Sequence, residues 1–124
     1  MGLDMYAYAV ANNPDNTELS IAEGVEREDI AYWRKFNALH GWMQQLFERR
    51  GGTGDFNCQP LRLHKADLFN LQQDIILNRL TPCQGFFFGT QEIYPEDIEE
   101  TYTFIGKALT ALNAGQEVYY DSWW

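Results

Sequence analysis

Ala31-Tyr32-Trp33-Arg34-Lys35-Phe36-Asn37-Ala38-Leu39-His40-Gly41-Trp42 is the stretch on which the fold of this chain turns. At about 100° per residue, Tyr32, Phe36, Leu39, Met43, Leu46 and Phe47 fall on one arc, the apolar side of a helix that packs on a core. Trp33, Asn37, His40 and Gln44 follow as a second stripe along its edge. An aromatic, an amide and an imidazole on successive turns make a recognition surface, with a flat face to stack on and groups that both donate and accept. Arg34 lies about a quarter turn round, within reach of an anionic group held along the stripe. The helix is expected from about Glu28 to Glu48. Glu28 and Asp29 in its first turn and Arg49-Arg50 at its end suit the helix dipole, and Gly51-Gly52 stops it. The competing reading of Asn37 and His40 is structural: half-buried groups that bond neighbouring loops and fix the packing of the Phe86–Phe88 segment.

Working outward, Leu3 to Val10 alternates Leu3, Met5, Ala7 and Ala9 with Asp4, Tyr6 and Tyr8, the period of a strand. Bulky groups on both sides predict an inner strand with one face partly covered. Asn12-Asn13-Pro14-Asp15-Asn16 ends it, and the acidic stretch to about residue 27 reads as loop, with room for a short strand near Leu19 to Ala22. A short extended piece from Pro60 to Leu63 precedes a second helix from about Lys65 to Leu80, with His64 at the N-cap place and Asp67 three residues on. Thr81-Pro82 is expected to end that helix. Gly85-Phe86-Phe87-Phe88-Gly89 is a short apolar run between glycines. A third helix begins near Pro95 and closes at Asn113-Ala114-Gly115, and Glu117 to Trp124 is an aromatic strand. The expected fold is α+β and a single domain over 1–124: three helices packed on a small, mostly antiparallel sheet that includes the N- and C-terminal strands.

The net charge of −9 argues against generic nucleic-acid binding, which rests on phosphate neutralisation. Its distribution is uneven. Residues 30–90 hold seven bases and four acids, and the remainder two bases and fourteen acids. The middle of the chain is thus free to receive an anion, while the acidic remainder suits a basic protein or mimics nucleic acid. No charged segment leads into a long apolar run, so neither signal peptide nor membrane span is expected.

Other constellations carry less. Gly51-Gly52-Thr53-Gly54 closes a helix where a phosphate cradle opens one, and no Lys-Ser/Thr follows. Cys58, Cys83, His40 and His64 have no metal-ligand spacing, and nothing local marks Cys58 as an activated thiol. Glu96, Asp97, Glu99 and Glu100 sit in a helix first turn, where acids are common, and form no catalytic dyad; they read instead as a partner-binding surface. No catalytic residue, metal or cofactor is expected.

The Met1-Gly2-Leu3-Asp4-Met5-Tyr6 opening, the Ala31–Trp42 segment, the Gly85–Gly89 segment and the Tyr119-Tyr120-Asp121-Ser122-Trp123 end occur together in one order. In that combination the chain resembles an uncharacterised family of small bacteriophage and prophage proteins, over nearly its whole length. The resemblance brings no activity or catalytic residue. It implies context: a small accessory protein in the bacterial host cytoplasm, acting in host takeover or defence evasion. Two functions from different classes follow. The first is a non-catalytic protein holding a small, partly anionic, nucleotide-like ligand at Trp33, Arg34, Asn37, His40 and Gln44. The second is an acidic inhibitor of a basic host protein, of nucleic-acid-mimic type, working through Asp15–Asp29 and Glu92–Glu100. A small enzyme is the third and least favoured.

Overall fold

The computed structural model describes residues 2–80 and 93–124. Within them run β1 (Asp4–Val10), β2 (Arg27–Arg34), α1 (Asn37–Arg49), β3 (Leu61–Leu63), α2 (Lys65–Ile76), α3 (Pro95–Asn113) and β4 (Glu117–Trp123). The strands form one antiparallel sheet in the order β2-β1-β4-β3. The α+β architecture is as the sequence predicts, with β1 and β4 paired at the centre of the sheet. The Thr81–Pro82 stop and the Gly85–Gly89 segment lie outside the described residues.

The alternation within β1 sorts its side chains cleanly. Leu3, Met5, Ala7 and Ala9 face the helices and join Trp33, Phe36, Leu39, Phe47, Leu68, Phe104, Val118 and Tyr120 in the main core. Tyr8 and Val10 face the other way and pack with Tyr119, while Tyr6, Ile21 and Val25 close around them. The loop that holds Ile21 and Val25 therefore covers part of the second face. It forms no strand near Leu19, but its Glu18 carbonyl accepts the backbone N–H of Arg62.

The start of the first helix is corrected. Residues 27–34 form a strand, so α1 begins at Asn37 and not near Glu28. Ala31 and Trp33 point to the core while Tyr32 and Arg34 do not, an alternation of two that a helix cannot produce. Ile30 stands between the partners of Ala7 and Tyr8 as the extra residue of a bulge. Lys35 then takes the left-handed φ of 58° and donates its N–H to the Leu3 carbonyl, which breaks any continuous helical path from 34 to 37.

The helix ends follow local chemistry. Gly51 and Gly115, with φ of 89° and 88°, follow the last turns of α1 and α3 as left-handed stops. Asn78, at φ 53°, does the same for α2, which therefore closes at Ile76, short of the predicted Leu80. At its start, the Asp67 carboxylate accepts the His64 N–H at 2.8 Å. Arg50 joins Asp67, the Glu18 carboxylate and the Arg62 carbonyl, pinning the end of α1 to the start of α2 and to β3.

Gly52 illustrates how close this packing is. A Cβ placed there would lie 2.5 Å from the buried Phe47 ring. Gly52→Ala is expected to cost about 1–3 kcal/mol through overpacking, read as a lower urea midpoint with an unchanged m-value.

Candidate functional site

The five residues of the expected ligand stripe do not share a surface. Trp33 and Arg34 belong to β2 and point to opposite faces of the sheet, while Asn37, His40 and Gln44 belong to α1. Trp33 is buried; its indole N–H donates to Thr101 Oγ1 at 3.0 Å and its ring meets Phe104 edge-on at 5.2 Å. Arg34 is exposed and lies 3.9 Å from Asp4 on the far side. Asn37 and His40 are each only 3% exposed, and Gln44 is half-buried. The correction has one physical cause: the stripe needed helical phase to continue through Lys35, and the left-handed turn there ends it.

His40 sits in an aromatic enclosure. Its Nδ1 lies 2.8 Å from the Tyr120 hydroxyl, and its ring stacks on Phe56 at 5.2 Å. Burial lowers its pKa from 6.5 to about 4, so it is a neutral imidazole at physiological pH. A neutral histidine bonded within the core supports packing; it offers no charge to an anion. An open cleft of about 630 Å³ runs between β2 and the C-terminal half of α3, lined by Glu28, Asp29, Lys107, Thr110 and Gln116 among others. None of the five stripe residues lines it.

Among the described residues, four of the seven bases of the middle segment, and His64, lie beside carboxylates of the fold. Arg34 meets Asp4, Arg50 meets Asp67 and Glu18, Arg62 meets Glu117, Arg79 meets Asp74, and His64 meets Glu18. Glu117 is itself buried and also accepts from the Asn16 amide at 2.6 Å. In contrast, Glu23, Glu26, Glu28, Asp29, Glu96 and Glu99 are exposed, and among the described residues no basic nitrogen lies within 4.0 Å of them. Of the predicted partner-binding acids, Glu96 and Glu99 are thus open. Asp97 and Glu100 are half-buried, and burial together with neighbouring Glu96 raises the Asp97 carboxyl above its ordinary value.

A second surface lies on the sheet itself. Where the 11–25 loop leaves the second face uncovered, two rows of cross-strand neighbours remain: Arg34, Asp4 and Trp123 in one, Tyr32, Tyr6 and Asp121 in the next. Trp123 is 63% exposed and Tyr32 48%, a large aromatic area to leave in water. The Tyr32 hydroxyl donates to Asp4 at 2.6 Å, and its ring lies 5.3 Å from that of Tyr6. Asp121 accepts from the Tyr8 hydroxyl at 3.2 Å and from the Ser122 N–H at 2.8 Å; burial raises its carboxyl above the usual range. The sequence carried a signal for this face in the alternation of Asp4, Tyr6 and Tyr8, but only the strand register brings Trp123 opposite Asp4. Trp124, by contrast, packs inward and donates its indole N–H to the Phe56 carbonyl.

Among the described residues, no group of three or more His, Cys, Asp or Glu side chains could hold a metal ion, and no helix is long and apolar enough to cross a membrane. Comparison of the chain with protein-family models, with curated proteins and with solved structures finds no match in any of the three.

Proposed function

We propose that this chain is a small phage-type accessory protein that acts without catalysis, by docking an acidic surface on a basic protein of the bacterial host cytoplasm. The observation that carries the reading is the disposition of charge. The fold draws Arg50 and Arg62 into partly buried ion pairs, holds Arg34 and Arg79 beside carboxylates at its surface, and leaves carboxylates exposed around the start of β2 and in the first two turns of α3. Such a surface draws a cationic partner by long-range attraction and repels phosphate backbones. The phage context rests on the sequence resemblance, and the small-ligand alternative loses its support with the dispersal of the stripe.

The test is capture from bacterial extract on the immobilised chain, followed by identification of what binds. The expected result is a host protein with a basic face, held at low salt and released as ionic strength rises several-fold, when exposed charges are screened. Replacing Glu23, Glu26, Glu28 and Asp29 by their amides should weaken capture without unfolding the chain, since all four are exposed. Capture indifferent to salt and to the amide variant would refute the reading. A melting-temperature rise with a panel of nucleotides would restore the small-ligand function instead.

A further inference from the structure

We propose that the uncovered end of the sheet's second face reads an arginine side chain from an extended, basic segment of the partner. This rests on the reading of the chain as an acidic docking protein and gives that docking a specific anchor.

Toward β4 the two open rows set a ring beside a carboxylate, Asp4 with Trp123 and Tyr6 with Asp121, while Arg34 and Tyr32 complete them on β2. A guanidinium is flat, permanently charged and weakly hydrated, so it stacks on an aromatic face while its N–H edge pairs with a carboxylate. An ammonium is a compact, strongly hydrated point charge with no flat face to stack, so it matches this pair less well. The chain's own arginines show both modes on this face. The Arg27 guanidinium lies 4.8 Å over the Tyr8 ring, and Arg34 approaches Asp4 at 3.9 Å. Both come from the β2 side. On the β4 side, among the described residues, Asp121 has no basic nitrogen within 4.0 Å, and Trp123 beside it is the most exposed large hydrophobic side chain. Asp121 feels the Arg27 charge only across the Tyr8 ring and has no direct ion pair among the described residues, so this half-buried carboxylate, next to an open indole, is complementary in charge and shape to an incoming arginine.

The experiment is a titration of the isotope-labelled chain with a synthetic peptide of alternating arginine and glycine, with lysine and glutamate counterparts as comparisons. The arginine peptide is expected to shift the Trp123 indole resonance and the amides of Tyr6, Tyr32 and Asp121. It should bind several-fold more tightly than the lysine peptide, and the glutamate peptide should not bind. Trp123→Ala, at a position too exposed to threaten the fold, should weaken binding about tenfold, and Tyr32→Ala less. Shifts confined to Glu23–Asp29 or Glu96–Glu100, or affinity unchanged by Trp123→Ala, would overturn the site while leaving acidic docking intact. Absence of binding by any cationic peptide would overturn it as well. Acidic docking stands or falls separately, on the salt-sensitive capture of a host protein.

Discussion

Truncating Trp33 to alanine is expected to remove about 3–5 kcal/mol of stability, a large share of what a domain of this size holds. The indole is among the largest fully enclosed side chains, wedged between β1 and α3 beside Met5, with Phe104 edge-on to its ring. Deleting it forfeits both the transfer free energy and the contacts around the cavity left behind. Trp33→Phe should cost much less. It keeps most of the buried area, and Thr101 stays satisfied because its hydroxyl also donates to the Asp97 carbonyl at 2.7 Å. Urea unfolding of the two variants measures this. A near-neutral Trp33→Ala, within about 0.5 kcal/mol, would mean that the indole lies on an open surface after all.

The same residue shows where sequence alone was sufficient and where it was not. β1, α3 and β4 are written in local signals: strict alternation from Leu3 to Ala9, Pro95 in the first helical turn, and Gly115 as a left-handed stop. β2 is not. Tyr32 and Phe36 stand four apart, acids precede them and bases follow, so the segment carries a helix's periodicity and a helix's charge gradient. What makes it a strand is non-local, the ladder it forms with β1 and the Lys35 N–H donated to Leu3. The β-branched Ile30 and the adjacent aromatics Tyr32 and Trp33 were the local hints in favour. Once that phase breaks at Lys35, the ligand stripe breaks with it. The open sheet face needed still more, because pairing Trp123 with Asp4 depends on the register of two strands more than a hundred residues apart in sequence. Charge was the more durable guide. The excess of acid at the start of β2 and of α3 was plain from composition, and burial changed only which of those carboxylates stay in water.

Acid should weaken this fold before most of its carboxylates titrate, and His40 is the reason. In the unfolded chain the imidazole takes up a proton near 6.5, whereas in the fold burial delays protonation until about pH 4. Between those values the unfolded chain binds a proton that the folded chain refuses, so stability falls as pH falls. The loss begins near 6.5 and is complete below about 4, where it amounts to about 3 kcal/mol. The side chain is almost fully enclosed by Tyr120, Phe56 and their neighbours, so solvent does little to soften the penalty. Asp97 and Asp121 act in the opposite sense. Their carboxyls are raised, so the fold holds their protons more readily than the unfolded chain does, and acid relieves them in a window just above the ordinary carboxyl value. A total acid profile therefore mixes signs, and the comparison that isolates His40 is with His40→Gln, whose amide retains a partner for the Tyr120 hydroxyl and carries no charge. Urea unfolding free energies at steps from about pH 7 to about pH 4 should decline more steeply for the natural chain, by about 3 kcal/mol over the interval. Parallel profiles would assign the acid sensitivity to other groups and would mean that the imidazole reaches water, which is also the condition under which a ligand could reach it.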